Sequence, residues 1–308
     1  MQLIEGIEKI ISPFTNPAIT IGNFDGVHLG HKTLLRQVTK KAKEIGGPSI
    51  VMTFEPHPLK VLKPEICPPL ITTYERKVEL IARAGIDVVI AVDFTREFAG
   101  NSAESFVRDI LCNTVGMKAI IVGPDYTFGK DRKGSIEDLK RLSATCGFDL
   151  MVVPWQGAEG ERISSTKLRD LITDGNVAEA EHLLGRYYQV RGSVVPGRNR
   201  GGRLLGFPTA NLKSHNDLCP KRGVYAITAK HGQTLYRGVA NIGYSPTFAD
   251  HTFTVEVHLF DFDKDIYGDC IRVEFVAYLR GEIKFAGPGE LATQIKKDII
   301  KARGILSS

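Results

Sequence analysis

A chain of 308 residues with 43% apolar and 24% charged side chains has the make-up of a soluble globular protein, large enough for one big domain or two smaller ones. Its longest apolar runs, such as Val88 to Val92 and Ala119 to Val122, are far too short to span a bilayer, and the opening MQLIEGIEKI is acidic where a secretion signal would be basic. Five scattered cysteines (Cys67, Cys112, Cys146, Cys219, Cys270) with no Cys-x-x-Cys pair predict reduced thiols and a cytoplasmic location. The net charge of +5 is uneven, because residues 187–308 hold 17 basic and 11 acidic side chains while residues 1–186 are nearly balanced.

Along the first 150 residues, short β-branched runs bounded by turn residues predict strands at 18–22, 49–54, 87–92, 118–123 and 149–153. Amphipathic patterns between them predict helices at 32–45, 74–84 and 102–113. This alternation predicts an α/β unit built on a doubly wound parallel sheet, whose ligands bind beyond the carboxyl ends of the strands. Residues 163–185 read as two helices, the first capped by Ser165 or Thr166 and the second at 177–184. From Tyr187 onward strands dominate, at 187–195, 223–230, 234–241, 252–262 and 270–280, with a hairpin break at His231-Gly232. The run 252–259 alternates strictly, with Phe253, Val255, Val257 and Leu259 on one face. Consecutive strands without helices between them predict an antiparallel β-barrel. A terminal helix at about 289–303, with Leu291, Ile295 and Ile299 on one face, covers one end of it. The boundary is expected near residue 186, giving domains 1–186 and 187–308.

The chemistry concentrates in Ile19 to His31. An apolar strand enters the Gly-rich turn Gly22-Asn23-Phe24-Asp25-Gly26, and His28 and His31 then open a helix. Histidines at i and i+3 share a helix face. The first turn of a helix carries unpaired N–H groups and the positive end of the dipole, so it attracts phosphate. Such a site can grip a triphosphate and stabilise shifting negative charge. Zinc does not fit, since no third His or Cys lies nearby, and no Gly-Lys-Ser/Thr follows to make a Walker loop. Gly22, Gly26 and Gly30 let the backbone approach a ligand. Asp25 reads either as a helix cap or as a residue that holds the turn or a metal. A second helix start, Arg162-Ile163-Ser164-Ser165-Thr166-Lys167-Leu168-Arg169, offers hydroxyls, N–H groups and Arg169 to phosphate.

In the second half, Gly197-Arg198-Asn199-Arg200-Gly201-Gly202-Arg203 leads into Gly206-Phe207-Pro208-Thr209-Ala210-Asn211. Glycines and arginines together wrap a polyphosphate. Thr209 and Asn211 offer two neutral oxygen ligands to Mg²⁺, with phosphates and water supplying the rest. An RNA-binding Arg-Gly-Gly segment is the competing reading, but such segments are repetitive whereas this one is single. Glu256 lies on the polar face of its strand, which by default makes it a solvated residue.

The strand–turn–helix stretch resembles the Gly-x-Phe-Asp-x-x-His-x-Gly-His motif of the HxGH nucleotidyltransferases, and residues 163–169 resemble their Ile-Ser-Ser-Thr-x-Ile-Arg element, with Leu168 in place of the usual Ile. Nearly the whole chain resembles one family, the bacterial bifunctional riboflavin kinase/FAD synthetases. The second half carries its Gly-Phe-Pro-Thr-Ala-Asn motif at 206–211, Gly223-Val224-Tyr225, Asn241-Ile242-Gly243, Val255-Glu256-Val257-His258 and Tyr267-Gly268. The segment Phe285-Ala286-Gly287-Pro288-Gly289-Glu290 departs from the usual Ser-Leu-Glu-Glu-like helix entry. The resemblance implies a Rossmann-like HxGH nucleotidyltransferase domain that converts FMN and ATP to FAD and pyrophosphate, followed by a riboflavin kinase barrel that converts riboflavin and ATP to FMN and ADP.

The resemblance also implies the sites. His28 and His31 are catalytic in adenylyl transfer, with Gly22, Asn23, Phe24, Asp25, Gly30, Asp125, Phe128, Arg162, Ser165, Thr166 and Arg169 around ATP and FMN. The loop Val122 to Gly134 that carries Asp125 and Phe128 reads equally as a plain surface turn, and Phe54-Glu55-Pro56-His57-Pro58 as scaffold. In the kinase, Gly197, Arg198, Arg203, Gly206, Phe207, Thr209 and Asn211 bind ATP, Thr209 and Asn211 hold Mg²⁺, and Glu256, chosen over His258 and Glu274, is the proton acceptor. The expected partners are small molecules only: riboflavin, FMN, FAD and ATP, with no nucleic acid, no membrane and no obligatory protein partner.

Overall fold

The structure is a computed structural model that describes residues 1–154, 163–196, 207–244 and 253–307. The chain packs into two compact units, Met1–Pro69 with Tyr74–Ser164, and Leu70–Thr73 with Ser165–Ser308.

The first unit is built on six strands: β1 (Gln2–Glu5), β2 (Ala18–Ile21), β3 (Ser49–Glu55), β4 (Val88–Asp93), β5 (Ala119–Val122) and β6 (Asp149–Val152). They lie in the order β1-β4-β3-β2-β5-β6, with every pairing parallel. Around them run α1 (Leu29–Ile45), α2 (Pro58–Leu62), α3 (Tyr74–Arg83), α4 (Arg96–Ala99), α5 (Ala103–Ser105), which continues as a π-helix over Phe106–Val115, and α6 (Ile136–Cys146). The central strands read as continuous apolar runs because both faces are covered. Ile19, Ile50, Met52, Ile90 and Ile120 pack on one side with Phe106, Leu111 and Leu139. Ala18, Val51, Val89 and Ile121 pack on the other with Leu35, Val38 and Ile81. The chain builds β2, β3 and β4 in one direction and then returns to place β5 beside β2. The carboxyl ends of β2 and β5 therefore flank the switch point of the sheet, where ligands of such folds bind.

The second unit is a closed barrel of β7 (Tyr188–Val195), β8 (Ala210–Ser214), β9 (Gly223–His231), β10 (Thr234–Tyr244), β11 (Phe253–Leu259) and β12 (Cys270–Arg280), in the order β10-β11-β8-β7-β12-β9 and antiparallel throughout. Tyr188, Val190, Tyr225, Ile227, Val255, Val257, Val273 and Phe275 fill its interior. Two helices, α7 (Ser165–Thr173) and α8 (Val177–Leu184), add Leu168, Ile172, Val177 and Leu184 to that same cluster. Packing thus divides the chain about twenty residues before the change in secondary-structure character at 186, because the apolar faces of α7 and α8 are buried against barrel residues.

The terminal helix α9 (Pro288–Leu306) lies over Val224, Ala226, Val239 and Leu279 on the outside of the barrel. Its fully buried row is Asp298, Ala302 and Leu306, whereas the expected Leu291, Ile295 and Ile299 are half-buried. The difference comes from a buried ion pair that hydropathy does not reveal. The Arg280 guanidinium grips the Asp298 carboxylate through Nε at 3.0 and 3.1 Å and Nη2 at 2.8 Å. The unusual helix entry is satisfied locally, since the Glu290 carboxylate accepts the Ala286 N–H at 3.0 Å. Among the described residues no helix is long and apolar enough to cross a membrane.

The starts of β3 and β4 are tied together by one carboxylate. Asp87 accepts the Ser49 hydroxyl at 2.6 Å and its N–H at 2.9 Å, and these bonds hold the Asp87 carboxyl below its ordinary pKa. A depressed carboxyl pKa contributes stability above the unfolded-state value and loses it as the pH falls through the folded-state value. Asp87→Ala should therefore cost about 1 kcal/mol at neutral pH, the modest figure reflecting solvent screening of an exposed group. Denaturant melts should show the parent and the variant converging as the pH is taken below about 4.

Candidate active sites

The turn between β2 and α1 is compact and bent. Phe24, Gly26 and Val27 all have positive φ, of 48°, 85° and 39°. Gly26 takes this region at no steric cost, whereas Phe24 and the β-branched Val27 are held there by their surroundings. Both are buried, and Val27 donates its N–H to the Phe24 carbonyl. Helix α1 starts at Leu29 instead of Lys32, so His28 is its N-cap and His31 lies in its first turn. Asp25 is not the cap of α1; it is buried within the turn, because the chain needs three more residues before it adopts helical angles.

His28 is 3% exposed, and its Nδ1 accepts the backbone N–H of His31 at 3.3 Å. A ring nitrogen that accepts carries no proton, so the neutral ring has its proton on Nε2, which is then a donor. The His28 and His31 rings stack with centroids 3.6 Å apart and 18° between their planes. Phe24 meets His31 edge-on at 5.2 Å. Gly30 makes this stack possible, since a Cβ there would lie 3.2 Å from both Nδ1 and Cε1 of His28. The histidines expected to share a face therefore form one stacked unit at a helix N-terminus, beyond the carboxyl end of a switch-point strand.

Asn23 is held from β3. Its carbonyl accepts the Thr53 hydroxyl at 3.3 Å, and its side-chain amide meets His57 Nε2 at 3.1 Å. His57 Nδ1 accepts the Leu59 N–H at 3.2 Å and so caps α2. The Phe54–Pro58 loop is thus joined to the motif, a role that spacing in the sequence does not reveal.

On the other side of the switch point, Val122 opens into the loop that carries Asp125 and Phe128. Phe128 pairs with Gly134 through two backbone bonds of 2.9 and 3.2 Å, which closes the loop. Its ring is 6% exposed and packs on Tyr126 and Phe106, so Phe128 anchors the loop that presents the exposed Asp125. Ser165, Thr166 and Arg169 occupy the first turns of α7, within the second compact unit. Arg162 lies outside the described residues.

In the barrel, strand register gathers the second set. Glu256 on β11 lies directly opposite Asn211 on β8 and opposite Asn241 on β10. Phe253, Val255, Val257 and Leu259 point into the core, so Glu256 faces outward with Asn211 and Asn241 in one row. Thr209 directly precedes β8, two residues before Asn211. Solvent reaches Glu256, yet enough protein surrounds it that desolvation raises its carboxyl pKa. His258 also lies on this face. Its Nδ1 donates to the Pro208 carbonyl at 2.8 Å and its ring meets Phe207 edge-on at 5.7 Å, so it fixes the segment that carries Thr209. The alternation along β11 showed where His258 would point but not what it would hold. Gly197, Arg198, Arg203 and Gly206 lie outside the described residues. Among the described residues no group of three His, Cys, Asp or Glu side chains is placed to hold a metal. The hard oxygens of Thr209 and Asn211, with a carboxylate opposite, suit a Mg²⁺ ion that arrives with a polyphosphate.

A histidine-capped helix at the switch point of a doubly wound sheet, and an outward row of oxygen-bearing side chains on a β-barrel, are both suited to handling phosphate. The comparisons with known proteins agree. Residues 12–167 match the family model for FAD synthetase, and residues 184–306 match that for riboflavin kinase. The bifunctional riboflavin kinase/FMN adenylyltransferase of Haemophilus influenzae is 38% identical over all of both chains. That of Escherichia coli is 39% identical over 98% of this chain and 97% of its own length, and that of Listeria monocytogenes 37% over 92% and 90%. A solved structure described as a macrolide-efflux protein from Streptococcus pneumoniae superposes with a TM-score of 0.87, at 34% identity over 97% of each chain. The chain belongs to the bifunctional riboflavin kinase/FAD synthetase family, with the FAD synthetase domain first and the riboflavin kinase domain second.

Gly30 provides a selective test of the histidine stack. Gly30→Ala should press on the His28 ring and shift it by a few tenths of an ångström, reducing FAD formation from FMN and ATP by up to about 10-fold, less than the roughly 100-fold of a full 1 Å misplacement. Riboflavin phosphorylation assayed on the same preparation should not change.

Proposed function

We propose that adenylyl transfer runs at the β2–α1 turn and phosphorylation on the outer face of the barrel. The observation that carries the first assignment is the His28 cap with its stacked partner His31, which sets two imidazole rings at the helix end that attracts phosphate. The FMN phosphate is already an anion, so its attack on the ATP α-phosphate needs no general base. His28 and His31 stabilise charge on the α- and β-phosphate oxygens as pyrophosphate leaves. Gly22, Asn23, Phe24, Asp25 and Gly30 shape the turn around the nucleotide; Asp125, Phe128, Arg162, Ser165, Thr166 and Arg169 are the further residues that the family resemblance assigns to ATP and FMN.

Phosphorylation of riboflavin differs, because an alcohol is a poor nucleophile until its proton is drawn away. Glu256 is the acceptor, and its raised pKa brings it closer to the basicity that proton transfer at neutral pH rewards. Thr209 and Asn211 would hold Mg²⁺, which neutralises phosphate charge when bound. Gly197, Arg198, Arg203, Gly206 and Phe207 bind the ATP that donates the phosphoryl group. The kinase function resides in residues 187–308 and the adenylyltransferase in residues 1–186. Riboflavin, FMN and ATP are sufficient partners, with no nucleic acid or membrane involved. Cytoplasmic residence is supported by the five unbridged cysteines.

Paired variants test this reading. His28→Ala should lower FAD formation about 100- to 1000-fold, the usual loss of one charge-stabilising donor, while riboflavin phosphorylation stays normal. Glu256→Gln should do the reverse, lowering kinase activity by about 100- to 10,000-fold, and should remove the acid limb of its pH–rate profile. Chromatographic separation of riboflavin, FMN and FAD on the same preparations distinguishes the outcomes, and equal loss of both activities in either variant would sink the assignment.

Dividing the chain tests the boundary. A 187–308 fragment should retain kinase activity but be less stable than 165–308, because it lacks Leu168, Ile172, Val177 and Leu184. Each such buried side chain is worth about 1.5–3 kcal/mol. Thermal melts of the two fragments provide the comparison.

A further inference from the structure

Lys77 is a buried cation that the chemistry above does not use. It lies in the first turn of α3 and is 8% exposed. Its Nζ donates to the Phe54 carbonyl at 3.2 Å, stands 3.9 Å from a Glu55 carboxylate oxygen and lies 5.8 Å from the centre of the Tyr74 ring. Burial costs the ammonium enough to lower its pKa, and the carboxylates of Glu55 and Asp25 act against that shift. A buried charge compensated by one neutral hydrogen bond and a loosely approached carboxylate is expensive to keep, and apolar residues of similar size are generally as stable or more so. Stability alone therefore gives little reason for a lysine here.

Its location gives a better one. Helix α3 follows β3 and runs back toward the start of β4, so its first turn sits at the carboxyl edge of the sheet, the ligand side. Phe54 is the penultimate residue of β3. Beyond it the chain leads to His57, whose Nε2 meets the Asn23 amide at 3.1 Å, while Thr53 on the preceding side donates to the Asn23 carbonyl at 3.3 Å. Asn23 and Asp25 belong to the turn that precedes the histidine cap. Lys77 thus pins the strand end from which the turn is gripped, and the Asp25 carboxylate in that turn favours its charged form.

We propose that Lys77 is a positioning residue for adenylyl transfer, fixing the end of β3 so that Asn23 and Asp25 hold the β2–α1 turn in the geometry that presents His28 and His31 to the triphosphate. This rests on the assignment of FAD formation to that turn. The role is indirect: the ammonium touches neither histidine, and it acts through the Phe54 carbonyl and its charge.

The test uses the full-length chain with FMN and MgATP, and riboflavin phosphorylation as the internal control. Lys77→Met keeps the length of the side chain and removes its charge. Its kcat for FAD formation should fall about 10- to 100-fold, the scale of a displaced catalytic constellation, with the melting temperature retained and kinase activity within about twofold of the parent. Lys77→Ala should fall similarly and regain at least about fivefold on addition of n-propylammonium, which replaces the lost amine, but not on addition of n-propanol. Lys77→Met forming FAD at the parental kcat would overturn the proposal. So would a loss that follows the unfolded fraction in melts and is not restored in Lys77→Ala by the amine. A parent protein that makes FMN but no FAD would instead overturn the assignment of FAD formation itself.

Discussion

The seven residues between β2 and α1 must reverse the chain at the carboxyl end of a fully buried strand and deliver a helix N-terminus to the same edge. This constraint forces Phe24 and Val27 into the left-handed region, at about 1–3 kcal/mol each. Burying the same two side chains, which are 3% and 0% exposed, offsets that cost by about 1.5–3 kcal/mol each. The turn is therefore held by the core beneath it, where Phe24 and Val27 join Leu35, Val38 and Val51. The histidine cap, the ring stack and the grip on Asn23 all depend on that geometry.

The barrel solves a different problem. A closed antiparallel sheet has no free edge, so its register is set by which face of each strand must be buried. Shifting β11 by one residue would send Val255 and Val257 outward and Glu256 into the core. The requirement that buries the valines therefore also aligns Glu256 with Asn211 and Asn241. One patch of the outer face is sealed by α9 and the Arg280–Asp298 pair, while the row that carries Glu256 stays accessible to solvent. Core packing and the alignment of Glu256 with Asn211 and Asn241 are one constraint here.

The two units use backbone differently. At the β2–α1 turn, a helix end supplies N–H groups and a dipole, and the side chains tune them. On the barrel, strands supply only spacing, and the chemistry comes from oxygen-bearing side chains. With the proposed assignment of sites, this division suits the two reactions. Transfer to an existing phosphate anion needs charge stabilisation and alignment, whereas transfer to an alcohol also needs a base.

Much of this was legible from local pattern. Runs such as Val88 to Val92 announced buried parallel strands, strict alternation at 252–259 announced the barrel wall, and Gly22 to His31 carried its strand–turn–helix signature, because each depends on residues that are near neighbours in the chain. Elements with a weak local apolar pattern escaped. β1 buries only Ile4, α6 begins in a polar run, and β8 is hidden within a motif read for its ligand-binding groups. The inward row of α9 was displaced for a related reason, since Asp298 is buried by an arginine eighteen positions away and hydropathy assigns a carboxylate to solvent. The sequence by itself determined the two architectures, the family and most of the candidate residues, since residue type and short-range spacing suffice for these. Only the tertiary structure decided that His28 and not Asp25 caps α1, that Thr53 and His57 hold Asn23, that Lys77 bonds the Phe54 carbonyl, that His258 holds the Pro208 carbonyl, and that α7 and α8 pack with the barrel. Each of those outcomes turns on a hydrogen bond or a buried face shared by segments that the fold brings together, and the balance between a strained turn and the core that retains it exists only once that core has formed.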